Sequence, residues 1–93
     1  MKDEDVRKLI DEVNQREKKD YQKMNIEELS GELRGVMEFE RSIFEKIEEM
    51  EKKGTESDLI NYAKMIIKNT TGREISEIQE IYLEKIDRDY LSS

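Results

Sequence analysis

Apolar residues recur every three or four positions along three stretches of this chain, the repeat that collects side chains on one face of an α-helix. The longest run comes last. Ile60, Ala63, Ile67, Thr71, Ile75, Ile78, Tyr82 and Ile86 follow one another at such gaps, and Leu59, Ile66, Thr70 and Ile81 widen the face. A face this broad exceeds the seam of a two-stranded coiled coil and asks to be packed between at least two neighbours.

Taken from the start, Val6, Leu9, Ile10 and Val13 predict a first helix over about Asp3 to Lys19. Acids at its beginning and Lys18 and Lys19 at its end suit the helix macrodipole. Its apolar face is narrow, so it must dock on something. Asp20 to Met24 reads as a short connection that Tyr21 and Met24 are able to pin to the body. Asn25 followed by Glu28 has the form of a capping box, so a second helix starts at Ile26. Its apolar positions run through Leu29, Leu33, Val36, Met37, Phe39, Ile43, Phe44, Ile47 and Met50 to about Lys53, and Gly54 is a natural stop. Such a helix is roughly 40 Å long, which implies an elongated body. Gly31 and Gly35 admit two readings: tolerated helix-weakening residues, or the close crossing of a second helix.

Thr55 and Asp58 repeat the capping pattern at the head of the last helix. Asn69-Thr70-Thr71-Gly72 is a possible interruption, with Thr71 and Glu74 as a second cap. The apolar stripe keeps its phase across the spot, which favours one continuous helix. Asp87 to Ser93 loses the period and reads as a frayed tail or the start of a linker. The expectation is an all-α fold: a single helical domain over residues 1–86, an elongated bundle of three to four helices, with no sheet.

Composition narrows the function. At 93 residues the chain is one domain with a thin core, and with 34% hydrophobic and 44% charged residues it is expected to share apolar surface with another subunit. The net charge of -7 argues against a module that works by neutralising phosphates, so direct nucleic-acid binding is not expected. There is no Cys and no His, which removes disulfides, thiolate chemistry, the commonest general base and the commonest transition-metal ligand. Met1-Lys2-Asp3-Glu4-Asp5 lacks the apolar region of a signal peptide, and no apolar run approaches the roughly 20 residues that span a bilayer. A soluble, cytoplasmic protein is expected, away from membranes.

No catalytic constellation emerges. Glu45, Glu48, Glu49 and Glu51 stand among Lys46, Lys52 and Lys53 and read as a solvated face with helix-surface ion pairs, not a metal site. Ser42, Ser57, Thr70, Thr71 and Ser76 have no imidazole to activate them. Gly72-Arg73 lacks the rest of a phosphate loop. A non-enzymatic protein without cofactors is expected. Arg73, beside the stripe, has three readings: an ion pair within the domain, a subunit contact or a partner contact.

The segment Arg16-Glu17-Lys18-Lys19-Asp20-Tyr21-Gln22-Lys23-Met24 before a long helix, with Ala63-Lys64-Met65-Ile66-Ile67 leading to Arg73-Glu74-Ile75 in the last, resembles the helical A domain of an archaeal GINS subunit in its Gins51-like form. Thr70, Thr71, Gly72, Ser76 and Glu77 depart from that family's pattern, and its β-rich B domain is absent. The resemblance implies a DNA-replication scaffold whose A-domain helices pack against sister GINS subunits and help couple the MCM helicase to a RecJ/Cdc45-like partner. It implies assembly through Ile60, Ala63, Ile67, Thr71, Arg73, Ile75, Ile78 and Tyr82. The alternative is a stand-alone homo-oligomeric interaction or regulatory module closing the same surface on a second copy. Either way a homo- or hetero-oligomer is expected.

Overall fold

The computed structural model describes residues 2–16 and 18–91. Three α-helices and one 3-10 turn follow in order: α1 (Lys2–Asn14), the turn Tyr21–Lys23, α2 (Ile26–Lys52) and α3 (Ser57–Leu91). Among the described residues there is no strand. The helical bundle is elongated, 57 × 19 × 16 Å. Its radius of gyration of 16.4 Å compares with about 12 Å for a compact globule of this length.

The boundary chemistry explains the two long helices. Asn25 and Glu28 form the reciprocal capping box that starts α2, Asn25 Oδ1 accepting from the Glu28 N–H at 2.8 Å. At its other end Gly54 takes φ 89, and the N–H groups of Thr55 and Gly54 return to the carbonyls of Met50 and Glu51 at 3.1 Å each. This is the Schellman arrangement, which satisfies carbonyls the helix leaves free and turns the chain back on itself. α3 then runs antiparallel to α2. The Ile60 N–H donates to the Glu56 carbonyl at 3.0 Å, so α3 begins from Glu56, and Thr55 is buried in the turn instead of capping with Asp58.

α3 is unbroken at Gly72. Thr70, of a type that elsewhere competes with helical bonds, donates its hydroxyl back to the carbonyl of Ile66 at 2.9 Å, and the Thr71 hydroxyl lies 2.9 Å from the Ile67 carbonyl, so both stay inside the helix. The helix also continues through Asp87 to Leu91, where no apolar period marks it. Residues 92 and 93 of the expected tail lie outside the described residues. α1, by contrast, stops at Asn14 and not near Lys19. Arg16 and Lys19 are drawn away to carboxylates on α3 and α2, and a helix continued through them would carry both elsewhere.

Two apolar cores result. Val6, Leu9 and Val13 of α1 close on Ile43 and Ile47 of α2 and on Ile60, Ala63 and Ile67 of α3. Farther along, Leu29 and Val36 meet Ile78 and Ile81 beneath Tyr21. Each fully buried aliphatic contributes roughly 1.5–3 kcal/mol. Glu40, Thr71 and Glu74 lie between the two cores, with Thr71 buried and bonded to Glu40. Gly31 and Gly35 have no atom within 4 Å of where a Cβ would stand, so they mark no helix crossing.

Candidate functional site

A cleft of about 380 Å³ opens where the chain leaves α1 and crosses to Tyr21, its wall formed by Arg16, Lys18, Asn69, Arg73, Glu74 and Glu77 among others. Glu74 organises it. Its Oε1 accepts from the Tyr21 hydroxyl at 2.6 Å, and its Oε2 faces Arg16 Nη1 at 3.2 Å. The Arg16 guanidinium also lies over the Phe39 ring, 4.4 Å from its centroid, where the ring's π-face attracts a cation. The crossing segment is therefore tied to α3 through one carboxylate, and to α2 through the Arg16–Phe39 contact.

The electrostatics follow. Burial is the main influence on the Tyr21 hydroxyl; its bond to Glu74 and the negative charges of Glu74 and Glu32 act the same way, while Arg16 opposes them. The net effect pushes the phenol well above the ordinary tyrosine range. A phenol held neutral and donating to an arginine-paired carboxylate is a structural bridge between the crossing segment and α3.

A second polar contact lies alongside. The Thr71 hydroxyl is within reach of both the Glu40 carboxylate and the Ile67 carbonyl, and with one proton it donates to one of them at a time. Among the described residues no buried side-chain nitrogen or oxygen lacks a partner, and no group of three or more acidic residues is placed to hold a metal ion.

The residues singled out from sequence divide sharply. Ile60, Ala63, Ile67 and Ile78 are 0% exposed within this chain's own cores, and Thr71 is buried between them. In this fold α1 and α2 cover the first three, and α2 with the Tyr21 turn covers Ile78. Ile75 and Tyr82 are half-buried at the edge of the second core. Arg73 is exposed on the rim of the cleft and forms no ion pair among the described residues. The arginine that does reach across is Arg16, which periodicity did not mark. The only sequence signal for it was its place in a polar segment that had to be tied down somewhere. Of the acidic cluster, Glu51 pairs with Lys64 at 3.5 Å, and Lys46 pairs with Glu12 at 3.5 Å. Both pairs are half-exposed and worth at most about 1 kcal/mol.

No helix among the described residues is long and apolar enough to cross a membrane. No family model, curated protein or solved structure matches this chain.

Proposed function

We propose that this chain is a non-enzymatic helical assembly module. One observation carries the reading: a rod-like hairpin that keeps its aliphatic stripe inside itself still exposes Met37, Tyr62, Met65 and Leu83 by more than half. Large apolar side chains on a narrow body gain most when a second protein covers them. The tyrosine, arginine and carboxylates nearest the cleft support the same reading, since their bonds hold the crossing segment in place.

The specific form of the proposal is a replication scaffold of the GINS A-domain kind, which rests on the sequence resemblance. In that form sister GINS subunits, the MCM helicase and a RecJ/Cdc45-like protein are the partners. The residues left open to them are Arg73 on the cleft side and, on the other side of α3, Ile75 and Tyr82, because the other stripe residues are enclosed.

Affinity capture of the tagged chain from a lysate of its source, with mass spectrometry of what is bound and a solution mass for the purified protein, tests both levels. Recovery of a replicative helicase, a RecJ-like protein or another GINS subunit is the expected result. A doubled mass with recovery of the chain alone replaces the replication form with a homo-oligomeric module. A monomer that retains no protein overturns the assembly reading.

A further inference from the structure

We propose that the flank of the α2–α3 hairpin opposite α1 takes an acidic amphipathic helix from a protein partner. The two flanks of the hairpin are told apart by sevenfold spacing. Glu32, Phe39 and Lys46 of α2 lie seven residues apart and contact Lys19, Arg16 and Glu12, so this flank faces α1 and the segment after it. Two helical turns bring a helix back to nearly the same side, so Ser30, Met37 and Phe44 of α2 share the other flank, with Leu33 beside them. On α3 the matching row is Lys68, Ile75 and Tyr82. The Glu40–Thr71 contact lies in the seam between the two rows.

This flank is half-apolar and unshielded. Met37 is 52% exposed, and Leu33, Ile75 and Tyr82 pack against the second core while keeping part of their surface open. Its charge is the opposite of the molecule's. The chain as a whole carries -7, yet positions 26, 30, 33, 34, 37, 41 and 44 of α2 and 68, 72, 75, 79, 82 and 86 of α3 hold no carboxylate. They hold Arg34, Arg41 and Lys68, all exposed and none ion-paired among the described residues. A second copy brought face to face here would set like charges against each other, which costs affinity. An amphipathic helix with apolar residues on one side and carboxylates flanking them fits both features.

The inference deepens the assembly reading and rests on it for biological meaning, but its test needs no lysate. The isotope-labelled chain is titrated by NMR with two synthetic peptides of about 20 residues that share a leucine face and differ in carrying glutamate or lysine elsewhere. The glutamate peptide is expected to shift signals of residues 30–44 and 68–86 and to bind at least about tenfold more tightly than the lysine peptide. The exposed triple substitution Arg34→Glu, Arg41→Glu, Lys68→Glu, checked for unchanged helicity, is expected to invert that preference.

Equal binding of the two peptides, or shifts confined to the α1 side, overturns the proposal. So does tighter binding of phosphatidylglycerol vesicles or of single-stranded oligothymidine at the same signals, which would assign the flank to a lipid or nucleic-acid ligand. If the triple variant still captures every lysate partner of the parent chain, assembly stands and this flank is not its surface. If the parent captures none yet prefers the glutamate peptide, the assembly reading fails alone.

Discussion

The Tyr21 hydroxyl donates to Glu74 Oε1 at 2.6 Å, joining residues 53 positions apart and fixing where the crossing segment lies on α3. Because Glu74 also holds Arg16, the removal of one donor leaves a largely buried carboxylate only partly satisfied. Tyr21→Phe is expected to lower stability by about 1–3 kcal/mol at neutral pH, read as a drop in the urea midpoint.

The same pair sets an alkaline limit. The folded-state phenol ionises above the unfolded value of about 10, so beyond that pH the folded chain binds more protons than the unfolded one. The stabilisation is complete below about pH 9 and declines as pH rises from there. Urea midpoints measured from pH 7 to 11 should fall more steeply for the parent than for Tyr21→Phe. Parallel curves would show that Tyr21 is not the group responsible.

Ile67 is fully enclosed in the first core, so a charge there meets apolar neighbours from the same chain. Ile67→Asp is expected to unfold the protein, and Ile67→Ala to cost about 2–5 kcal/mol. Circular dichroism with sedimentation decides the point. A variant that keeps its helicity and merely loses oligomeric mass would place Ile67 at a subunit contact instead.

Gly31→Ala, Gly35→Ala and Gly72→Ala each put a methyl group into open space on a helix. Each should raise stability by ~0.5–1 kcal/mol, with near-additive gains in melting temperature. Gly54→Ala should act in the opposite direction by about 1–2 kcal/mol, since φ 89 disfavours any side chain.

Thr71→Val is expected to destabilise by about 1–3 kcal/mol, because Glu40 loses its donor at the centre of the helix pair. The double change Glu40→Leu with Thr71→Val should recover that loss or exceed it, since apolar pairs often replace buried polar ones without penalty. A double-mutant cycle in urea measures the coupling, and simple additivity would count against the contact.

Much of the fold was legible in the sequence because it rests on local chemistry. Asn25 and Glu28 are three residues apart, and Gly54 acts within one turn, so the beginning and end of α2 needed no knowledge of the rest of the chain. The end of α1 was not legible, since Arg16 is held by a carboxylate 58 residues away. Nor was the destination of the α3 stripe. Periodicity identifies a face that must be covered, but Ile60 and Ile67 look the same in sequence whether α1 or a second protein covers them. Arg73 and Arg16 illustrate the same point for charge: one stands beside the stripe and reaches nothing among the described residues, and the other stands outside it and ties the body together.

Because α1 covers only the core that holds Ile43, Ile47 and Ile67, the two ends of the hairpin are expected to open unequally often. The end built on Leu29, Val36 and Ile78 has two helices and the Tyr21 turn to hold it, so its amides should exchange with solvent through smaller fluctuations than those of the three-helix end. A ligand seated on that end would suppress those openings, and its binding would register as slowed exchange well beyond its own footprint.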